Sequence, residues 1–318
     1  MAPRRFILAL AGGVGGGKFA RGLAAVLPPD ELAIIVNTAD DFVHLGLHVS
    51  PDVDSVLYAL ADRNDPERGW GLAGETWNVM AALERLGGET WFRLGDRDLA
   101  THLLRTTELK AGRTLSEVTA ALARRLGIGH AVVPMSEAAV RSIVETDQGA
   151  LDFQDYFVRR QCEPKFRGVR FQGTAAPSTA FRAAIERATA IVIAPSNPYV
   201  SIDPILALEG VAGLLRGRRG PVVAVSPIVG GRAIKGPLAK MMTELGHVPS
   251  ALGIARHYGS LVGGWVIDAA DQELQSAIEA LGCRVRICDT LMRSIDDKTR
   301  VAAEALALAA ELAPETVG

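Results

Sequence analysis

Gly12-Gly13-Val14-Gly15-Gly16-Gly17-Lys18 stands directly after the apolar run Phe6-Ile7-Leu8-Ala9-Leu10-Ala11 and directly before a helical pattern. It therefore sits where a first strand hands over to a first helix. Glycines at that junction let the backbone approach an anion closely, and the free N–H groups of the helix N-terminus point at it. Two phosphate-binding patterns nearly fit. Gly12-x-x-x-x-Gly17-Lys18 matches a P-loop up to Phe19, where a Ser or Thr would hold magnesium. Gly15-x-Gly17-x-x-Ala20 matches a dinucleotide fingerprint, and Asp40 lies 20 residues beyond Ala20, after the next apolar run. Because both fit, the glycines alone do not name the ligand. A bare βα turn stays open beside phosphate or nucleotide binding.

Outward from this turn, short apolar runs alternate with longer helical patterns. Strands are predicted at 6–10, 32–36, 131–133, 190–194, 222–225, 265–267 and 284–287. Several are continuously apolar, as parallel strands covered on both faces are. Helices are predicted at 18–27, 78–86, 115–126, 180–188, 205–215 and 272–281, the last closed by Gly282. Such alternation predicts an α/β fold with a doubly wound, mostly parallel sheet and ligands outside the strands' C-terminal ends. The stretch 95–172 alternates less cleanly, and a mostly helical insertion over the sheet is expected there. The core is then 1–94 together with 173–318, in one unit.

Composition narrows the function class. The chain has 318 residues, 48% hydrophobic and 22% charged, with a net charge of −2. That is enough apolar residue for a sizeable core and far from the composition of disorder. With 34 basic against 36 acidic residues, bulk electrostatic binding to nucleic acid or an anionic membrane is not expected. Cys162, Cys283 and Cys288 form no C-x-x-C pair and no even framework, which suits a reducing cytoplasm. Arg4-Arg5 before an apolar run imitates a leader, but the glycines cut that run short of the ~7–15 residues an export signal needs. No run of ~18 apolar residues suggests a membrane span.

Polar clusters follow the predicted strands or open helices. They are Asn37-Thr38-Ala39-Asp40-Asp41-Phe42, Ser50-Pro51-Asp52-Val53-Asp54-Ser55 and Arg93-Leu94-Gly95-Asp96-Arg97-Asp98, then Pro195-Ser196-Asn197-Pro198-Tyr199 and Ser226-Pro227-Ile228-Val229-Gly230. In this order, and together with Asp289-Thr290-Leu291-Met292, the set resembles the 2-phospho-L-lactate transferase family of deazaflavin coenzyme F-420 biosynthesis. The resemblance covers nearly the whole chain. It implies a Rossmann-like core and a homodimer. The donor it implies is a GDP-activated phosphorylated acid carrying a 2-phospholactyl, phosphoenolpyruvyl or 3-phosphoglyceryl group. The acceptor would be the deazaflavin alcohol Fo, with GMP leaving and Mg²⁺ required.

The residues agree with such chemistry, since phosphoryl transfer depends on positioning and charge neutralisation. Gly13, Gly15, Gly16 and Lys18 are the candidates for the donor phosphates. Asn37, Ser196, Asn197, Pro198, Ser226, Pro227 and Gly230 are the candidates for the rest of the nucleotide. With Phe19 in place of a hydroxyl residue, carboxylates must hold magnesium; Asp40, Asp41, Asp52 and Asp54 are the candidates, with Asp40, Asp41 and Asp54 the expected ligands. If Pro51 opens a helix, Asp52 and Asp54 lie ~200° apart around it and cannot face one pocket. Asp52 then reads as a complement to the helix dipole. The resemblance implies that Asp54 and Arg93 meet the deazaflavin and that Asp54 sits closest to chemistry; Asp41 is the other catalytic candidate. Asp203 departs from the glycine expected after Ser201-Ile202.

Other features carry less. His44 and His48 lack a third ligand at metal spacing, and Gly46 between them argues against a helix. His102 reads as a structural partner of its segment, and Arg216-Gly217-Arg218-Arg219 as a solvated turn. Trp70, Trp77 and Trp91 suit either core packing or the wall of an aromatic site. Two rival readings remain: a nucleotide-sugar-binding regulatory protein of similar core, and a nicotinamide dehydrogenase resting only on the fingerprint and Asp40.

Overall fold

A computed structural model describes residues 4–217 and 220–313, so Arg218 and Arg219 of the basic turn lie outside the described residues. In chain order the first half runs β1 (Ile7–Ala11), α1 (Gly13–Val26), β2 (Leu32–Val36), β3 (Phe42–His44), β4 (Leu47–Val49), α2 (Pro51–Leu60), α3 (Asn78–Arg85), α4 (Asp96–Lys110), α5 (Leu115–Arg125) and β5 (Ala131–Pro134). It continues through β6 (Arg141–Thr146), β7 (Gly149–Asp152), β8 (Phe166–Gln172), α6 (Thr179–Arg187), β9 (Ala190–Ile193), α7 (Asp203–Leu206), α8 (Val211–Arg216) and β10 (Val222–Val225). The last elements are β11 (Ile228–Val229), β12 (Arg232–Ala233), α9 (Leu238–Glu244), α10 (Ala251–Tyr258), β13 (Gly264–Asp268), α11 (Gln275–Glu279), β14 (Arg284–Cys288) and α12 (Ile295–Leu312).

Seven strands form one parallel sheet in the order β14-β13-β10-β9-β1-β2-β5. All seven apolar runs predicted from the sequence are its strands. Alternate side chains explain why those runs are continuous. Leu8 and Leu10 pack on one face with α6, α9, α10 and α11, while Ile7, Ala9 and Ala11 pack on the other with α1, α2, α5 and α12. The chain winds outward through β2 and β5, then returns to place β9 beside β1 and winds the other way. The β1/β9 junction is the switch point, where sheets of this kind generally leave a crevice for ligands.

Three expectations are corrected. α1 begins at Gly13, not at 18, so the glycines form its first turns. Their reason is close approach. A Cβ on Gly15 would lie 2.5 Å from the Pro195 carbonyl oxygen, and one on Gly17 would lie 2.8 Å from that of Ser55. The helix expected over 205–215 is two short ones, α7 and α8, separated at Gly210, whose φ of 77° takes the left-handed conformation. The stretch 95–172 was expected to be mostly helical. It contains α4 and α5, then the edge strand β5, then the three-stranded antiparallel sheet β7-β6-β8.

The short β3–β4 hairpin was not anticipated. Leu45 and Gly46, both at positive φ, make its two-residue turn. Among the described residues no helix is long and apolar enough to cross a membrane. All three cysteines are free.

Candidate functional site

The crevice is built around the turn between β1 and α1. Gly12 is extended and Gly13 takes φ of 64°, so the chain enters the helix without a side-chain cap. Ser196, at the end of β9, braces this turn from across the switch point. Its Oγ accepts from the Gly12 N–H at 3.2 Å and donates to the Gly12 carbonyl at 2.8 Å. Ser196 is therefore framework. Asn197 likewise accepts from the Tyr199 N–H with Oδ1, starting the tight turn at Pro198. Ser226, two strands away at the end of β10, closes its own turn on Ile228 beside Pro227, and the Gly230 N–H donates to Asp271 at 3.0 Å.

Asn37 ends β2 and uses all of its side chain. Its Nδ2 donates to Asp52 Oδ2 at 3.0 Å and to the Val200 carbonyl at 3.1 Å, while Oδ1 accepts from the Ala39 N–H. Asp52 also accepts from the Gly13 N–H. A Cβ on Gly12 would sit 2.5 Å from Asp52 Oδ2. The aspartate read as a dipole complement is therefore the one at the glycine turn. Burial pushes its pKa up to about 6.

Asp40 is also buried and rises well above the usual carboxylate range, first through burial and then through Asp52 nearby. Its Oδ1 is buried without a hydrogen-bond partner. Asp41 is raised by burial, although His48 Nε2 at 3.1 Å and the Ser50 hydroxyl at 2.7 Å hold its Oδ2. Asp41 Oδ1 is buried and unpartnered as well. Thus Ser50, at the N-cap position of α2, gives its hydroxyl to Asp41 rather than to the helix.

Asp54 faces the other way. The side chain of Arg105 spans its carboxylate, with Nη2 bonded to Oδ1 and Nη1 3.0 Å from Oδ2. Neither Arg105, which is wholly buried, nor its partner His102 emerged from the sequence as part of the site. The available signal was the spacing Asp98, His102, Arg105, which puts all three on one face of α4. Because Arg105 engages Asp54, the expected metal set of Asp40, Asp41 and Asp54 does not come together. Among the described residues no three His, Cys, Asp or Glu side chains form a group able to hold a metal.

Asp52 lies at the glycine turn, and Asp40 is near enough to feel its charge. A bound polyanion there would face them with like charge unless a cation lay between. Two carboxylates plus substrate phosphates is a usual magnesium coordination. The unpartnered Oδ1 of Asp40 suits that role.

Lys18, in the second turn of α1, is half-buried and shifted down by burial, then by Lys235 and Lys298. On the β2/β5 side a cavity of about 500 Å³ opens on Asp40 and Asp41. Phe42, Trp91, Phe153, Arg141 and Arg159 are among its walls. Arg93 is exposed and stacks on Trp77, with its guanidinium carbon 4.5 Å from the ring centroid. Trp70 meets Trp77 edge to face, apart from the cavity, while Trp91 lines it. His44 is buried among Trp91 and Phe92, and Asp203 pairs with His257 at 2.9 Å.

The model of one family, described as 2-phospho-L-lactate transferase CofD, matches residues 7–305. A phosphoenolpyruvate transferase of Kitasatospora aureofaciens is 42% identical over 315 residues, covering 96% of this chain and 98% of that protein. A 2-phospho-L-lactate transferase of Methanosarcina acetivorans is 39% identical over 300 residues, 94% of this chain and 97% of that one. Among solved structures, a Bacillus halodurans protein of the UPF0052 family superposes with a TM-score of 0.63 at 18% identity, over 96% of this chain and 99% of that one. That last likeness concerns the fold alone.

Proposed function

The chain belongs to the 2-phospho-L-lactate transferase CofD family, and on that premise we propose that it is a Mg²⁺-dependent phospho-acid transferase acting on a GDP-activated three-carbon acid and the deazaflavin Fo. One observation carries the reading: the buried Asp40, which feels the charge of Asp52 at the glycine turn, also lines a cavity of about 500 Å³.

The donor diphosphate lies against the first turn of α1, where backbone N–H groups and the helix dipole favour negative charge. Lys18 adds an ammonium whose half-buried position strengthens its pull on an anion. Asp40 and Asp52 would hold Mg²⁺, which when bound would supply neutralisation of the charge developing on the leaving group. The acceptor takes the cavity, its ring against Trp91 and Phe42 and its ribityl chain toward Asp41. Arg93, two residues beyond Trp91, is exposed and stacks on Trp77, from which it would turn onto the ring.

The ribityl hydroxyl then attacks the phosphorus that bears the acid. The new P–O bond forms as the bond to the bridging oxygen breaks, and GMP leaves with that electron pair. The hydroxyl proton passes to Asp41 Oδ1, a carboxylate that burial has made more basic. Asp54, occupied by Arg105, takes no direct part.

The test is turnover with Fo, Mg²⁺ and each of the 2-phospholactyl, phosphoenolpyruvyl and 3-phosphoglyceryl GDP donors, read as GMP release and product mass. One donor should give product, lost on Asp40→Asn. Tight nucleotide binding without product from any donor would instead favour the regulatory reading.

A further inference from the structure

The first turn of α2 carries two aspartates that point to opposite sides. Asp52 meets the glycine turn through Asn37 and Gly13. Asp54 meets α4 through Arg105. Arg105 Nη1 also lies 3.2 Å from Nδ1 of His102, whose Nε2 is 3.4 Å from Asp98 Oδ2. Asp98 Oδ1 in turn accepts a 2.5 Å hydrogen bond from Tyr58, one helical turn beyond Asp54 on α2. One face of α2 is thus fastened to one face of α4 at two successive turns. A helix fastened on one face has its opposite face fixed as well.

We propose that Arg105 is a positioning residue: by spanning Asp54 it sets the rotation of α2 and so holds Asp52 against the glycine turn. Its catalytic consequence rests on the transferase reading, whereas the mechanical coupling does not.

The pair is poorly explained as a device for stability alone. Well-packed apolar residues replace buried ion pairs at little or no loss. What arginine adds is a planar fork whose two parallel bonds define an angle as well as a distance. Lysine in its place would keep the charge but make a single-point contact, and α2 could turn about it. A rotation by even a third of a residue step, ~30°, would swing the Asp52 carboxylate away from Gly13. The charge of Arg105 also reaches Asp41 and slightly offsets the upward push of burial there.

The experiment is hydrogen exchange read by mass spectrometry on the full chain, with and without GDP and Mg²⁺. The variants are Arg105→Lys and the apolar pair Asp54→Leu with Arg105→Met, each also followed by thermal unfolding. In both variants, exchange within residues 12–18 should rise about tenfold while α12 keeps its protection. Under turnover, kcat should fall at least tenfold and half-saturation in Mg²⁺ should rise, with KM for the acceptor changed by less than about threefold.

Unchanged exchange over 12–18 in folded Arg105→Lys overturns the proposal, as does normal kcat in the apolar pair. If neither variant folds, Asp54→Asn, which keeps the shape of the pair, is judged on the same exchange. If even the unmodified chain turns over no donor, the transferase reading fails while the exchange still decides the coupling.

Discussion

Gly15→Ala sets two magnitudes against each other. Gly15 lies inside α1 and is not at positive φ, so an alanine fits its backbone and gains about 1 kcal/mol of helix propensity. Its Cβ, however, would sit 2.5 Å from the Pro195 carbonyl oxygen, short of an ordinary 3.4 Å contact by about 0.9 Å. The opposing atom is backbone and cannot rotate away. Overpacking of this kind costs about 1–3 kcal/mol. The net loss is then about 0–2 kcal/mol, or up to roughly 4 °C in Tm for a chain of this size.

The functional loss is expected to be larger than the loss of stability. Moving Pro195 drags Ser196, and with it both hydrogen bonds that brace Gly12. Calorimetric titration with GDP in the presence of Mg²⁺ should show affinity at least tenfold weaker, about 1.4 kcal/mol, with the circular dichroism spectrum unchanged. A variant that binds GDP normally and melts higher than the parent would refute the argument. Propensity would then be the only effect, and the glycines would not be there for close approach.

Asp52 offers a test by pH. Its folded pKa of about 6 lies above the ordinary carboxylate value of 3.8, so the fold favours its protonated form. That stability is fully present below the unfolded value and is lost as pH rises through about 6. Asp52→Asn should therefore melt above the parent at pH 8, and the gap should close at pH 4, while turnover is abolished. Equal melting temperatures at both pH values would count against a buried, raised Asp52. Trp91→Ala removes one wall of the cavity, so KM for Fo should rise about tenfold while GDP affinity holds. The reverse pattern would place the acceptor elsewhere.

The sheet was legible in the sequence because its strands are buried on both faces, which makes them plain apolar runs such as Leu32-Ala33-Ile34-Ile35-Val36. The smaller sheet β7-β6-β8 was not. Its strands mix charge with apolar residues, as in Arg141-Ser142-Ile143-Val144-Glu145-Thr146, and neighbouring aromatic and polar residues imitate a helix.

The site was legible in part. Geometry alone forbids Asp52 and Asp54 from sharing a pocket, and they do not share one. Which of them faces the glycine turn could not be read, because α2 has almost no solvent face to orient it. Asp52, Val53, Asp54, Val56, Leu57, Tyr58 and Ala59 are all buried. Arg105 was hidden for a related reason. A single arginine within a charged helix looks like a surface residue until its neighbours at 98 and 102 are seen to share its face.

The brace between Ser196 and Gly12 joins residues 184 positions apart, across strands that meet only at the switch point. At about 5–20 residues per second, β9 leaves the ribosome roughly 10–35 s after β1. Through that interval β1 has β2 on one side and a bare hydrogen-bonding edge on the other, the kind of edge that recruits foreign strands. The crevice does not yet exist, so no nucleotide stabilises the waiting half. Fragments ending before 190 should therefore aggregate regardless of how much GDP is supplied.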